Sequence, residues 1–152
     1  MTNREKYEDL YAKIVQLGID NSILPNGNVL DILTLVSHRA YRGWYAIDHH
    51  TEDEAIGDVM MNLIILNELI GCRMLHLSLR RDCTGFNSWK YLCYGVGNAR
   101  DQILYNGGII ERPSLANHLV HMSDIIQAIS LENDHDFIEC LESAYRRKRC
   151  EV

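Results

Sequence analysis

Proline is scarce, with two residues in 152, which argues against a disordered chain. An excess of positive charge is also missing. The formal net charge is -6, which argues against non-specific nucleic-acid binding as the main task. No apolar stretch approaches the roughly 20 residues needed to span a bilayer, the longest mostly apolar run being Met60 to Leu66. Met1 to Asp9 is polar and carries no apolar run, so no secretion signal is expected. Five cysteines (Cys72, Cys83, Cys93, Cys140 and Cys150) form no CxxC pair. That odd, scattered set reads as reduced thiols filling a core in a cytoplasmic protein, and not as a structural zinc site. GxSxG, Walker and GxGxxG motifs are absent, and Gly95-Val96-Gly97 lies inside a helical pattern with no strand before it. Arg73 follows Cys72 and Arg149 precedes Cys150, but no cysteine has a basic partner in a pattern that marks a nucleophile.

What is present is helical periodicity throughout. Hydrophobic residues make up 47% and charged residues 24%, as in an ordinary globular domain. Tyr7, Leu10, Tyr11, Ile14 and Leu17 form one apolar stripe, with Gly18 as its stop. After the turn signal Pro25-Asn26-Gly27, a second helix is expected from Val29 to Ile47. Asp48-His49-His50 then reads as a connection, and Thr51 with Glu54 as a capping box opening a third helix that ends near Ile70-Gly71. A short fourth helix is expected over Met74 to Arg81, and a break at Thr84 to Asn87. Ser88 caps a helix from Trp89 to Leu104. Asn106-Gly107-Gly108 is a loop and the one place where a hairpin could form. A further helix runs from Leu115 to Leu131, then a polar loop Glu132 to His135, then a last helix from Asp136 to Lys148. The basic end of that helix, Arg146 to Arg149, suits the helix dipole and reads as a solvated C-terminus, with a phosphate-binding patch as the alternative. The fold class is therefore all-α, one domain over 1–152, with a repeated layout in 30–82 and 88–149.

Two stretches carry a family resemblance, Tyr11 to Asp20 and Ala55 to Gly71. Together they resemble the MazG-like all-α nucleotide pyrophosphohydrolases in their short phage-type form. Phe137 to Tyr145 is similar to the closing helix of those proteins, arriving some sixty residues late. The resemblance implies a phage-encoded helical bundle, either a tandem of two hairpin units or one domain with an insertion. It also implies a nucleotide ligand, magnesium held by an ExxE and an ExxD pair, and subunits paired into a homo-oligomer. A tandem chain would satisfy that pairing internally.

The acidic pairs are largely missing. No Asp or Glu occurs between Ile32 and Ile47, where ExxE belongs. Alignment places His38, Arg39, Arg42 and Tyr45 on or near its positions. In the next helix Ala55 takes the place of the Glu, while Asp58 is kept. Arg39 and Arg42, at i and i+3, offer two guanidinium forks for phosphate oxygens without a metal. Tyr41, Trp44 and Tyr45 lie close enough in sequence to stack a base. The expected ligand-binding set is therefore His38, Arg39, Arg42, Trp44, Tyr45 and Asp58, with a nucleotide or nucleotide-derived signal as partner. No catalytic residue, cofactor, membrane or nucleic-acid partner is expected in that reading of a degenerate, sequestering protein. The bland alternative has Arg39 and Arg42 facing solvent or pairing with Asp48 and Glu52, with Tyr41 and Trp44 in the core. An enzymatic alternative keeps magnesium on Asp58, Glu54 and Glu52, with Asp58 and Glu54 catalytic. A third leaves only a protein-binding relic of the fold. His38, His49, His50 and Asp58 form a weaker metal constellation. His118, His121 and Asp124 read as a satisfied polar face.

Overall fold

The computed structural model describes residues 1–78 and 88–151. It is all-α, with six helices and no strand among the described residues. They are α1 (Asn3–Asp20), α2 (Val29–Trp44), α3 (His49–Leu69), α4 (Trp89–Tyr105), α5 (Arg112–Glu132) and α6 (Phe137–Cys150). No helix is long and apolar enough to cross a membrane.

Helix α3 is the axis of the bundle. Every residue from Ala55 to Asn67 is buried except Asp58, so the helix is covered all round and must be wrapped. Helices α1, α2, α5 and α6 supply the wrapping, and α4 lies outside on α2 and α5. Helix α6 returns to α3 and α1 instead of lying chiefly on its chain neighbour α5. At the α3–α6 crossing, Gly57 lets the two backbones meet. A Cβ there would fall on the Cys140 carbonyl oxygen and 2.9 Å from the Ala144 methyl. Helices α2 and α3 have 16 and 21 residues, and α4 and α5 have 17 and 21. The two pairs stack with α2 on α4 and α3 on α5.

Three expectations need correction. Helix α2 stops at Trp44, three residues before the expected Ile47, with Tyr45 as its C-cap. Helix α3 is opened by Asp48 and not by a Thr51–Glu54 capping box. The Asp48 carboxylate accepts from the Thr51 amide at 2.7 Å and from its hydroxyl at 3.1 Å, which brings His49 and His50 into the first turn. The expected helix from Met74 is absent over 74–78, while 79–81 and the break at 84–87 lie outside the described residues. Residues 73–78 instead run as a strap whose backbone is held by side chains. Tyr7 Oη donates to the Leu75 carbonyl at 2.7 Å, Asn67 Nδ2 to the Arg73 carbonyl at 2.7 Å, and the Ser78 amide to Gln127 Oε1 at 2.9 Å. Those bonds replace the helical ones, so no helix is needed to satisfy the backbone.

Candidate functional site

Asp58, the one break in the buried run of α3, opens on a cavity of about 510 Å³, within the size range of small-molecule sites. The end of α1, the α1–α2 loop and one face each of α2, α3 and α6 enclose it. Its aliphatic lining includes Leu17, Ile23, Ile32, Leu35 and Ile65. Its charged lining is Asp31, Arg39 and Arg42 from α2, Glu54 and Asp58 from α3, and Arg147, Lys148 and Glu151 from the end of α6. Arg39 and Arg42 share a face because they are three residues apart on a helix.

Asp58 stands between two guanidinium groups. Arg147 Nη2 donates to its Oδ1 at 3.0 Å, and Arg39 Nε lies 4.0 Å from its Oδ2. Arg147 also reaches the Glu54 carbonyl at 3.4 Å. Glu54 takes Arg42 at 3.4 Å on one oxygen and His50 at 3.0 Å on the other. The two carboxylates thus aim three arginines from two other helices at one space. Each guanidinium has five N–H donors and spends few of them on these two carboxylates.

Of the residues singled out from sequence, Arg39, Arg42, Glu54 and Asp58 line this cavity. His38, Trp44 and Tyr45 do not. His38 is exposed. Trp44, two residues past Arg42, is turned about 200° around α2. Tyr41, Trp44 and Tyr45 stack on one another, with centroids 5.5–5.9 Å apart, instead of facing a ligand. Glu52 points away from Glu54 and is held elsewhere, so the conditional magnesium trio of Asp58, Glu54 and Glu52 is split. Arg39 and Arg42 pair with Asp58 and Glu54, not with Asp48 and Glu52. The basic end of α6 is not simply solvated, since Arg147 and Lys148 face the cavity. The sequence of α6 leaves its basic end open between a solvated tail and a phosphate-binding patch, and the fold brings two of its cations to the cavity. His118 meets Gln102 at 3.1 Å and Asp124 accepts from Ser78 at 2.9 Å, so each has its own partner.

A second polar cluster lies on the same α3–α6 seam and centres on His135, a residue placed by sequence in a polar loop. Its side chain is 0% exposed. Nε2 is 2.6 Å from Glu52 Oε1, and Nδ1 is 3.0 Å from Asp53 Oδ1. Trp89 Nε1 and Asn133 Nδ2 donate to Glu52 Oε2 at 2.9 and 3.1 Å. Cys140 Sγ donates to Asp53 Oδ1 at 2.9 Å, and the exposed His49 ring stacks on His135 at 3.9 Å between centroids. Burial acts to raise the Asp53 pKa, but the Cys140 and His135 hydrogen bonds and the nearby histidine charge outweigh it and hold Asp53 below the usual range. Burial first, then Asp53, pushes the Cys140 thiol up, so it stays protonated. Among the described residues, the side chains that converge as a metal could use them are His49, Asp53 and His135, and not the set of His38, His49, His50 and Asp58. The sequence signal for this cluster is His49 and Asp53 at i and i+4, visible only once Asp48 is recognised as the cap. Compared with known proteins, the chain matches no family model, no curated protein and no solved structure.

Proposed function

We propose that the protein captures a phosphate-bearing, nucleotide-sized ligand without a metal. The observation that carries the reading is the convergence of Arg39, Arg42 and Arg147 on one cavity with an aliphatic lining. Guanidinium forks bind phosphate oxygens bidentately, and the tethers to Asp58 and Glu54 hold them in place before a ligand arrives. The aliphatic lining takes the role of an apolar face against the base or sugar. The resemblance to MazG-like proteins supports a nucleotide as the ligand class. The missing acidic pairs support a degenerate, sequestering member over a hydrolase.

One observation favours the enzymatic alternative: Glu54 and Asp58, at i and i+4, face the same cavity. Both carboxylates, however, are already paired with side chains from α2, α6 or the start of α3. The open volume counts against a relic whose pocket is filled by side chains.

The test is a thermal-shift screen against mono-, di-, tri- and cyclic nucleotides, with magnesium and with EDTA, each against its own nucleotide-free baseline. A ligand at a hundred times its dissociation constant adds about 2.7 kcal/mol. The expected result is a shift that survives EDTA, with the nucleotide recovered intact. Arg39→Ala with Arg42→Ala should abolish it. Their side chains are 38% and 49% exposed, so the ion pairs lost cost only about 0–1 kcal/mol each and the baseline barely moves. A shift that requires magnesium, with monophosphate and pyrophosphate appearing, overturns capture in favour of hydrolysis. Unaltered binding in the double variant removes the arginines from the site.

A further inference from the structure

The cluster around His135 is distinct from the cavity and plays no part in the reading above. We propose that His49, Asp53, His135 and Cys140 bind one divalent transition-metal ion of the zinc class. The donor atoms of His49, Asp53 and His135 already lie within 4.8 Å of one another. Cys140 Sγ sits 2.9 Å and His135 Nδ1 3.0 Å from the same Asp53 oxygen. Donors around a tetrahedral zinc ion are about 3–4 Å apart, so His49, Asp53 and His135 need only small shifts, while Cys140, which lies outside that group of three, must turn its Sγ toward them from its hydrogen bond to Asp53. A set of two imidazoles, one carboxylate and one thiolate suits zinc, and not magnesium or calcium.

The surroundings match what such a site requires beyond its ligands. In a metal-bound histidine the second ring nitrogen donates to a carboxylate, which fixes the ring and strengthens the ligand. His135 has that arrangement. Its Nε2 points to Glu52, leaving Nδ1 toward the other donors. Glu52 is itself pinned by Trp89 and Asn133. His49 and Asp53 share one face of α3, a turn apart. The buried half of the site, His135 and Cys140, comes from the other side of the seam. The exposed His49 provides the way in. Its ring now lies flat on His135, inclined by 8°, so it must turn to aim a nitrogen at the ion. Standing at the first residue of α3 and exposed, it has room to do so. Binding exchanges protons for the ion: the Cys140 Sγ–H and any Nδ1–H of His135 leave to solvent, and no electron is transferred.

The experiment uses the full chain, reduced and stripped with EDTA, then titrated with cobalt(II) and zinc(II). The expected result is one ion per chain. The cobalt form should show the visible bands of a tetrahedral site and a thiolate-to-cobalt charge-transfer band in the near ultraviolet, and zinc should displace the cobalt. Cys140→Ser should remove the charge-transfer band. His49→Gln, at an exposed position that leaves the fold intact by circular dichroism, should weaken binding by at least roughly tenfold. Failure to bind cobalt or zinc stoichiometrically overturns the site. So does a spectrum unchanged in both variants, which would place the ion elsewhere. Tetrahedral bands without the charge-transfer band overturn the four-ligand set by removing Cys140.

Discussion

Replacing His135 by alanine, with the protein kept in EDTA, should cost more stability than any surface change in the molecule. The ring is wholly buried and lies between two carboxylates, Glu52 at 2.6 Å and Asp53 at 3.0 Å. Removing it deletes two charge-assisted hydrogen bonds and leaves two acids facing each other across a void. Breaking a buried pair by removing one partner costs about 3–5 kcal/mol. Asp53 is 35% exposed and can swing to solvent, whereas Glu52, at 18%, is held by Trp89 and Asn133. The expected loss is therefore at the lower end, about 3 kcal/mol, or roughly 6–12 °C in Tm for a chain of this size. Urea unfolding followed by circular dichroism measures it. A cycle with Glu52→Gln separates the His135–Glu52 hydrogen bond from the packing of the ring, and the coupling between the two sites should be about 1–3 kcal/mol. A loss below about 1 kcal/mol, with no coupling, would refute the reasoning, because it would mean that His135 is spectator packing.

The crossing of α3 and α6 gives a second test. Gly57→Ala should destabilise by about 1–3 kcal/mol despite the better helix propensity of alanine, because the Cys140 backbone cannot yield. Gly97→Ala, in α4 with nothing within 4 Å of the added methyl, should stabilise by about 0.5–1 kcal/mol in the same urea assay. In the strap, Asn67→Ala strips donors from Tyr11 and the Arg73 carbonyl. A loss of about 1–3 kcal/mol and faster proteolysis within residues 72–78 are expected; unchanged cleavage would show that the strap is held by Tyr7 and Gln127 alone.

The helices were legible because their signal is local. The stripe from Tyr7 to Leu17, the Ser88 cap and the apolar body of α3 can each be read within a few turns of chain. The strap over 73–78 was not, because its apolar spacing looks helical while its backbone partners sit on α1, α3 and α5. At the start of α3 two caps compete three residues apart. A start at Thr51 instead of Asp48 puts His49 in a loop and hides its alignment with Asp53. Arg39, Arg42 and Asp58 stood out as residue types in unexpected places. Nothing near Arg147 or His135 in sequence announces the α3 residues they meet, since polar residues in a tail or a loop usually face water.

The return of α6 to α3 also bears on the order in which the molecule assembles. Arg42 and Glu54 are 12 residues apart, whereas His135 and Glu52 are 83 apart and Arg147 and Asp58 are 89 apart. Closing the longer loops costs roughly 2 kcal/mol more chain entropy if nothing between them has yet formed. Prior folding of α4 and α5 shortens that gap. The α2–α3 pair, with half of the cavity's cations, is therefore expected to condense before α6 docks. Both the cavity and the histidine cluster need α6 or the residues that lead into it, so a form with α6 undocked is expected to lack both together.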